Sequence, residues 1–133
     1  MKNNVTPRFT QNLSNIANTI SNGKYKKVVF NQEKGLIVEL ENGDYISANR
    51  LSIGTIDELY LSLRLSMLDE ISEEKMPIIL DEAFAYFDDE RLKNCLLFLK
   101  KQSNEHQIII LTCSNREKQI LDSLNIQYNL VEL

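Results

Sequence analysis

Ile78-Ile79-Leu80-Asp81-Glu82 is the stretch on which the reading of this chain turns. An apolar run this short, entered after the break at Met76-Pro77, reads as a β-strand with both faces buried. The first residues past the C-terminal end of such a strand emerge at the edge of the sheet, where α/β proteins hold ligands. Two adjacent carboxylates there point in different directions. One can face a hydrated Mg²⁺ while the other orients a water for attack. A polar loop closing a strand is the bland alternative, and the pair alone does not decide between them.

Towards the C-terminus the texture alternates. Asp88 is placed to cap a helix from Asp89 to about Gln102 that carries acidic residues in its first turn. A strand Gln107–Cys113 with a polar Thr112-Cys113-Ser114 end follows, then a helix Asn115–Ser123 and a strand Ile126–Val131. Strands alternating with helices predict an α/β fold built on a parallel sheet with right-handed crossovers and flanking helices.

Towards the N-terminus, Ile56–Ile71 reads as a helix. Its Leu59, Leu61, Leu63, Leu65 and Leu68 spread over more than one face, the pattern of a buried helix. Leu51-Ser52-Ile53-Gly54-Thr55 forms its mouth. Free amides at a helix start, with Ser52 and the close approach that Gly54 allows, can make an anion site. Thr55 and Glu58 also fit a capping box, which needs no anion.

Further upstream, Val5 to Asn22 is a helix, with Thr6-Pro7 as cap and first residue and Asn22-Gly23 as stop. Phe9, Leu13, Ile16, Ala17 and Ile20 make one apolar stripe. Strands Lys24–Asn31 and Gly35–Leu40, and a third at Asp44–Ser47 reached through Asn42-Gly43, predict a small antiparallel hairpin region. Tyr25, Phe30 and Tyr45 are assigned to sheet packing. No repeat or boundary divides the chain, so residues 1–133 are expected to form one domain.

The 133 residues are 43% apolar and 26% charged, which suits one compact core. A net charge of −4 argues against a nucleic-acid coat. DNA contact through Lys24, Lys26 and Lys27 remains a candidate, with a solvated strand face the simpler reading. Cys95 and Cys113 lack metal-ligand spacing and suggest no disulfide scaffold, and His106 has no nearby ligand partner, so a reducing cytoplasm is the expected location. Nothing approaches membrane-spanning length. Glu73-Glu74-Lys75 reads as a charged loop.

Taken in order, the segments resemble one family. Leu51-Ser52-Ile53-Gly54-Thr55 followed by Asp57-Glu58-Leu59-Tyr60-Leu61-Ser62-Leu63-Arg64-Leu65 is similar to the signature motif and helix of SMC-like ABC ATPases. Ile78 to Leu92, Ile-Ile-Leu-Asp-Glu-Ala-Phe-Ala-Tyr-Phe-Asp-Asp-Glu-Arg-Leu, looks like their Walker B strand and D-loop. The similarity extends over essentially the whole chain and is greatest to bacterial proteins with long coiled coils between two head halves. It implies the C-terminal lobe of a P-loop ABC/SMC-type head.

The resemblance implies a role for each matching residue. Asp81 would act on Mg²⁺ through water and Glu82 would be the general base. Ser52 and Gly54 would contact the γ-phosphate of ATP held by the opposite head, and Asp88 would communicate across the dimer. The switch position, a histidine in many relatives, falls at Ser114, which can hydrogen-bond but carries no positive charge.

A phosphate loop needs Gly-x-x-x-x-Gly-Lys-Ser/Thr, and Gly23, Gly35, Gly43 and Gly54 build none. The resemblance places that loop in an N-terminal head half joined through a coiled coil. The expected partners are that half, in the same or another chain, and a second head in a dimer, with no membrane. By itself the chain is expected to hydrolyse nothing. Two other classes compete: a non-catalytic dimerisation or docking module, and a Mg²⁺-dependent nuclease using Asp81, Glu82, Asp88 and Asp89. The nuclease has no lysine or histidine at a helpful spacing.

Overall fold

In a computed structural model, residues 7–71 and 74–133 are described. The elements are α1 (Pro7–Ile20), β1 (Lys27–Asn31), β2 (Gly35–Glu39), β3 (Tyr45–Ser47), α2 (Ile53–Ile71), β4 (Ile78–Asp81), α3 (Asp89–Gln102), β5 (Ile108–Leu111) and α4 (Arg116–Ser123), with a 3-10 turn at Ala48–Arg50. Val5, Thr6 and Glu73 lie outside the described residues, so the proposed Thr6 cap is not seen.

α1 follows its stripe. Phe9, Leu13, Ile16, Ala17 and Ile20 are all buried, joined by Ser14. The stripe feeds two hydrophobic clusters. Phe9, Leu13 and Ala17 pack with Tyr25, Val28, Leu36, Val38, Ala48 and Leu59. Ile16 and Ile20 pack with Leu61, Leu65 and the buried residues of β4, α3 and the loop between them. Ser14 fixes the first contact, its hydroxyl accepting from the Val28 amide at 3.0 Å and donating to the Val28 carbonyl at 3.2 Å. The helix stops as expected, with Asn22 and Gly23 both at positive φ (58° and 86°) and the Gly23 amide closing on the Asn18 carbonyl at 2.8 Å.

β1, β2 and β3 form an antiparallel sheet in that order, Val28 facing Val38 and Val38 facing Ile46. The Gly43 amide bonds to the Leu40 carbonyl and Gly43 takes φ 91°, so Asn42-Gly43 closes a turn with a left-handed glycine. Tyr25 and Phe30 pack as expected, but Tyr45 is 58% exposed on the short last strand.

β4 and β5 are parallel, Ile78 opposite Ile108 and Asp81 opposite Leu111, with α3 as the crossover. Two expectations are corrected here. β4 is buried on one face only: Ile78 and Leu80 are covered, whereas Ile79 is 48% exposed, because among the described residues no layer packs on its other side. Ile126–Val131 is not a strand. Asn125 turns left-handed (φ 57°), and Tyr128 Oη donates to Asp122 Oδ1 at 2.7 Å, folding the tail back on α4 instead of along β5. The α/β class, the parallel pair, the flanking helices and the hairpin region all stand.

α2 lies between the two clusters, Leu59 in one and Leu61 and Leu65 in the other. Its buried Ser62 and Ser66 donate to carbonyls one turn back, so the helix hides polar side chains without orphaning them. Tyr60 and Met67 keep one side open, so its burial is partial. No helix among the described residues is long and apolar enough to cross a membrane.

Candidate nucleotide site

Asp81 closes β4 and Glu82 follows at φ 51°, a left-handed conformation that costs a residue with a Cβ roughly 1–2 kcal/mol. Strain of this kind gathers at functional sites. Two bonds hold it. The Glu82 amide donates to the Leu111 carbonyl at 2.8 Å, and Glu82 Oε1 accepts from the Cys113 amide at 2.8 Å. The Cys113 amide, with help from the Thr112 side chain, holds the Glu82 carboxyl below its ordinary range, so it stays ionised. The Cys113 thiol is exposed and stands 3.6 Å from Glu82 Oε2. Asp81 beside it is exposed.

The segment after Glu82 is pinned by its aromatics. Phe84 and Phe87 are buried and meet edge to face at 5.6 Å, and the Phe87 amide bonds to the Phe84 carbonyl. Arg116 at the start of α4 donates to the Phe84 carbonyl at 2.8 Å and approaches Asp89. Asp88 caps α3 as expected, accepting from the Arg91 amide at 2.7 Å.

α2 begins at Ile53 rather than Ile56, which brings Gly54 into its first turn. Ser52 is its cap: Ser52 Oγ accepts from the Thr55 amide at 3.3 Å and lies 2.9 Å from Thr55 Oγ1. The Thr55–Glu58 capping box is therefore not formed. Both side chains are buried and turned towards Arg91, since a carboxylate one turn inside the helix finds a better partner in a guanidinium than in a backbone amide. Gly54 has the close approach expected of it, though to protein: a Cβ there would come 2.5 Å from the Tyr86 carbonyl oxygen.

The expected residues thus gather into two connected groups. Asp81 and Glu82 stand with Cys113 and Ser114 at the C-terminal ends of β4 and β5, while Ser52 and Gly54 stand with Asp88 on the α2–α3 side. Ser114 Oγ accepts from the Arg116 amide at 3.1 Å and so supports the start of α4, for which Asn115 gives no side-chain cap. Asp81, Glu82, Asp88 and Asp89 do not converge. Among the described residues no three His, Cys, Asp or Glu side chains stand close enough to hold a metal ion. Asp81 can serve a Mg²⁺ ion only with ligands from elsewhere, such as phosphate oxygens and water. Its exposed position at the strand end fits that use.

The sequence does not single out Arg91 or Arg116, and it offers Glu58 only as a capping residue. The spacing Asp88-x-x-Arg91 is visible there, but the partners on α2 lie 33 and 36 residues away.

No family model matches the chain. It is 30% identical over 123 residues to an uncharacterized protein, YhaN, of Bacillus subtilis (strain 168), covering 90% of this chain and 13% of that one. It is 31% identical over 100 residues to the DNA double-strand break repair Rad50 ATPase of Methanococcus maripaludis, covering 75% and 10%. The chain thus spans about an eighth or less of the length of these relatives. A structure solved in work on ATP-driven dimerization and DNA stimulated activation of SMC ATPases superposes with a TM-score of 0.68 at 19% identity, covering 86% of this chain and 73% of that one. That last likeness shows a shared fold.

Proposed function

We propose that the chain is the C-terminal half of an SMC-like ATPase head and supplies the signature loop, Walker B strand and D-loop of a head dimer driven by ATP. Its similarity to YhaN and the Rad50 ATPase and the fold it shares with an SMC ATPase structure support this reading. Three segments far apart in sequence are joined: Ser52-Ile53-Gly54 meets the loop Asp81–Asp88 at Tyr86, and Cys113-Ser114 meets the same loop at Glu82. This convergence carries the reading. Nucleotide held between two heads would use all three together, which favours this reading over a passive docking module.

The phosphates would be cradled by a half carrying a phosphate loop. Exposed Ile79 and Leu111 on β4 and β5 offer that half an apolar face to cover. Mg²⁺ bound with ATP supplies charge neutralisation on the phosphate oxygens, and Asp81 would hold it through water. Glu82, ionised and fixed by the Cys113 amide, accepts the proton of the attacking water. The capped start of α2, with Ser52 at its tip, faces the γ-phosphate bound by the opposite head. Asp88 reports across the dimer, and Ser114 stands at the switch position as a neutral hydrogen-bonding group. The residues act as one domain. By itself the chain binds ATP too weakly to turn it over. From the Rad50 and SMC likenesses we infer a place in DNA repair or chromosome maintenance, in the cytoplasm, with DNA as a further partner.

The test is Glu82→Gln in the head reconstituted with its phosphate-loop half. Nucleotide binding is expected to persist, turnover to fall about 10²–10⁴-fold, and ATP-bound dimers to accumulate. Turnover near the parent rate would overturn the assignment.

A further inference from the structure

We propose that Arg91 is a positioning residue of this site, a guanidinium that ties the D-loop to the signature loop so that the two are displaced together. The inference rests on the ATPase reading above.

Each nitrogen of the Arg91 fork has a different partner. Nε donates to Glu58 Oε1 at 3.1 Å, Nη1 to Asp88 Oδ2 at 2.9 Å and Nη2 to Thr55 Oγ1 at 2.6 Å. Thr55 Oγ1 lies in turn 2.9 Å from Ser52 Oγ. An unbroken hydrogen-bonded path therefore runs from the signature serine through Thr55 and Arg91 to the D-loop aspartate. The middle of the path is sheltered, with Thr55 buried, Arg91 only 16% exposed and Glu58 beside it fully buried. The Arg91 bonds to Thr55 and Glu58 therefore act in a medium of low dielectric, while Asp88 at the end of the path is 59% exposed. A second contact runs parallel to it, the Tyr86 carbonyl against Gly54.

Helix capping alone would not call for this arrangement. Asp88 already caps α3 through the Arg91 backbone amide, and the side chain adds nothing to that bond. Stability alone would favour an apolar pair, since burying Glu58 and Arg91 costs desolvation that a hydrophobic replacement avoids. Glu58 Oε2 is moreover left buried without a hydrogen-bond partner. The planar three-way fork instead fixes geometry between two elements, and lysine, a point charge on a flexible stem, cannot reproduce it. A push on the D-loop by an arriving head then reaches Ser52 without side-chain rearrangement.

The test compares Arg91→Met, Arg91→Lys and the double variant Arg91→Met with Glu58→Met in the reconstituted two-half head, with Glu82→Gln as a control. Arg91→Met is expected to leave the ATP affinity of the dilute, undimerised head unchanged and to lower kcat roughly 10–100-fold, the scale of a small misplacement of reacting groups. Arg91→Lys should recover part of that loss. The double variant should regain thermal stability, because no unpartnered carboxyl stays buried, while kcat stays low. It carries the test if Arg91→Met does not fold. Parent-like kcat in Arg91→Met, or recovery of kcat together with stability in the double variant, would overturn the positioning role. If Glu82→Gln turned over normally, the ATPase reading itself would fall, a result separable from either of those.

Discussion

The Cys113 amide donates to Glu82 Oε1 at 2.8 Å, joining the end of β5 to the residue after β4. This bond and the Thr112 side chain favour the ionised carboxylate, so the Glu82 carboxyl titrates below the ordinary glutamate range. The acid limb of turnover governed by Glu82 is therefore expected below the ordinary glutamate value of 4.5. The pH profile of single-turnover hydrolysis in the reconstituted head checks this. Because a backbone amide is the donor, Cys113→Ala should leave that limb in place.

Ser52→Arg should block ATP-driven head dimerisation and leave the fold and the ATP affinity of each head intact. Ser52 is exposed at the tip of α2, so a long side chain obstructs closure without disturbing the core. Loss of its cap on the Thr55 amide costs about 1 kcal/mol. Sedimentation with ATP in a Glu82→Gln background reads the outcome. Dimers forming as readily as with serine would remove Ser52 from the interface.

Gly54→Ala is expected to destabilise the chain by about 1–3 kcal/mol, as overpacking does. The new methyl meets the Tyr86 carbonyl, a backbone atom that cannot swing away. Chemical denaturation measures the loss, and a variant as stable as the parent would contradict the contact.

Glu58 carries the pH dependence of stability. Burial raises its carboxyl from the ordinary 4.5 to about 7, against the lowering pull of the Arg91 hydrogen bond and charge, with Asp88 and Lys24 adding smaller opposed effects. Between those values the folded chain holds a proton that the unfolded chain releases. This contribution is thus fully present below 4.5 and is lost as pH rises through about 7. Thermal unfolding should show stability from this site declining between those limits, and Glu58→Gln should remove that slope.

Much of this fold is legible in the sequence. The stripe from Phe9 to Ile20 needed only helical spacing, and all five apolar residues are buried. The strand at Ile78, the Asp88 cap and the Asn42-Gly43 turn declared themselves through local chemistry. What escaped was non-local. Thr55 and Glu58 carry the spacing of a capping box, and nothing nearby in sequence tells them of an arginine more than 30 residues on. Ile126–Val131 has strand composition, but a strand needs a neighbour, and the Tyr128–Asp122 bond draws that segment onto α4 instead. The charge and position of Glu82 are legible in the sequence, whereas its left-handed backbone depends on how β5 ends beside it.

The stripe of α1 has one more consequence. Phe9, Leu13 and Ala17 belong to the hairpin cluster and Ile16 and Ile20 to the cluster of the parallel strands, on a single helix of 14 residues. α2 repeats the pattern with Leu59 on one side and Leu61 and Leu65 on the other. Neither cluster can lose these helices without exposing the other, so the two melt as one cooperative unit. Probes that follow the hairpin and the parallel pair separately will trace the same unfolding curve.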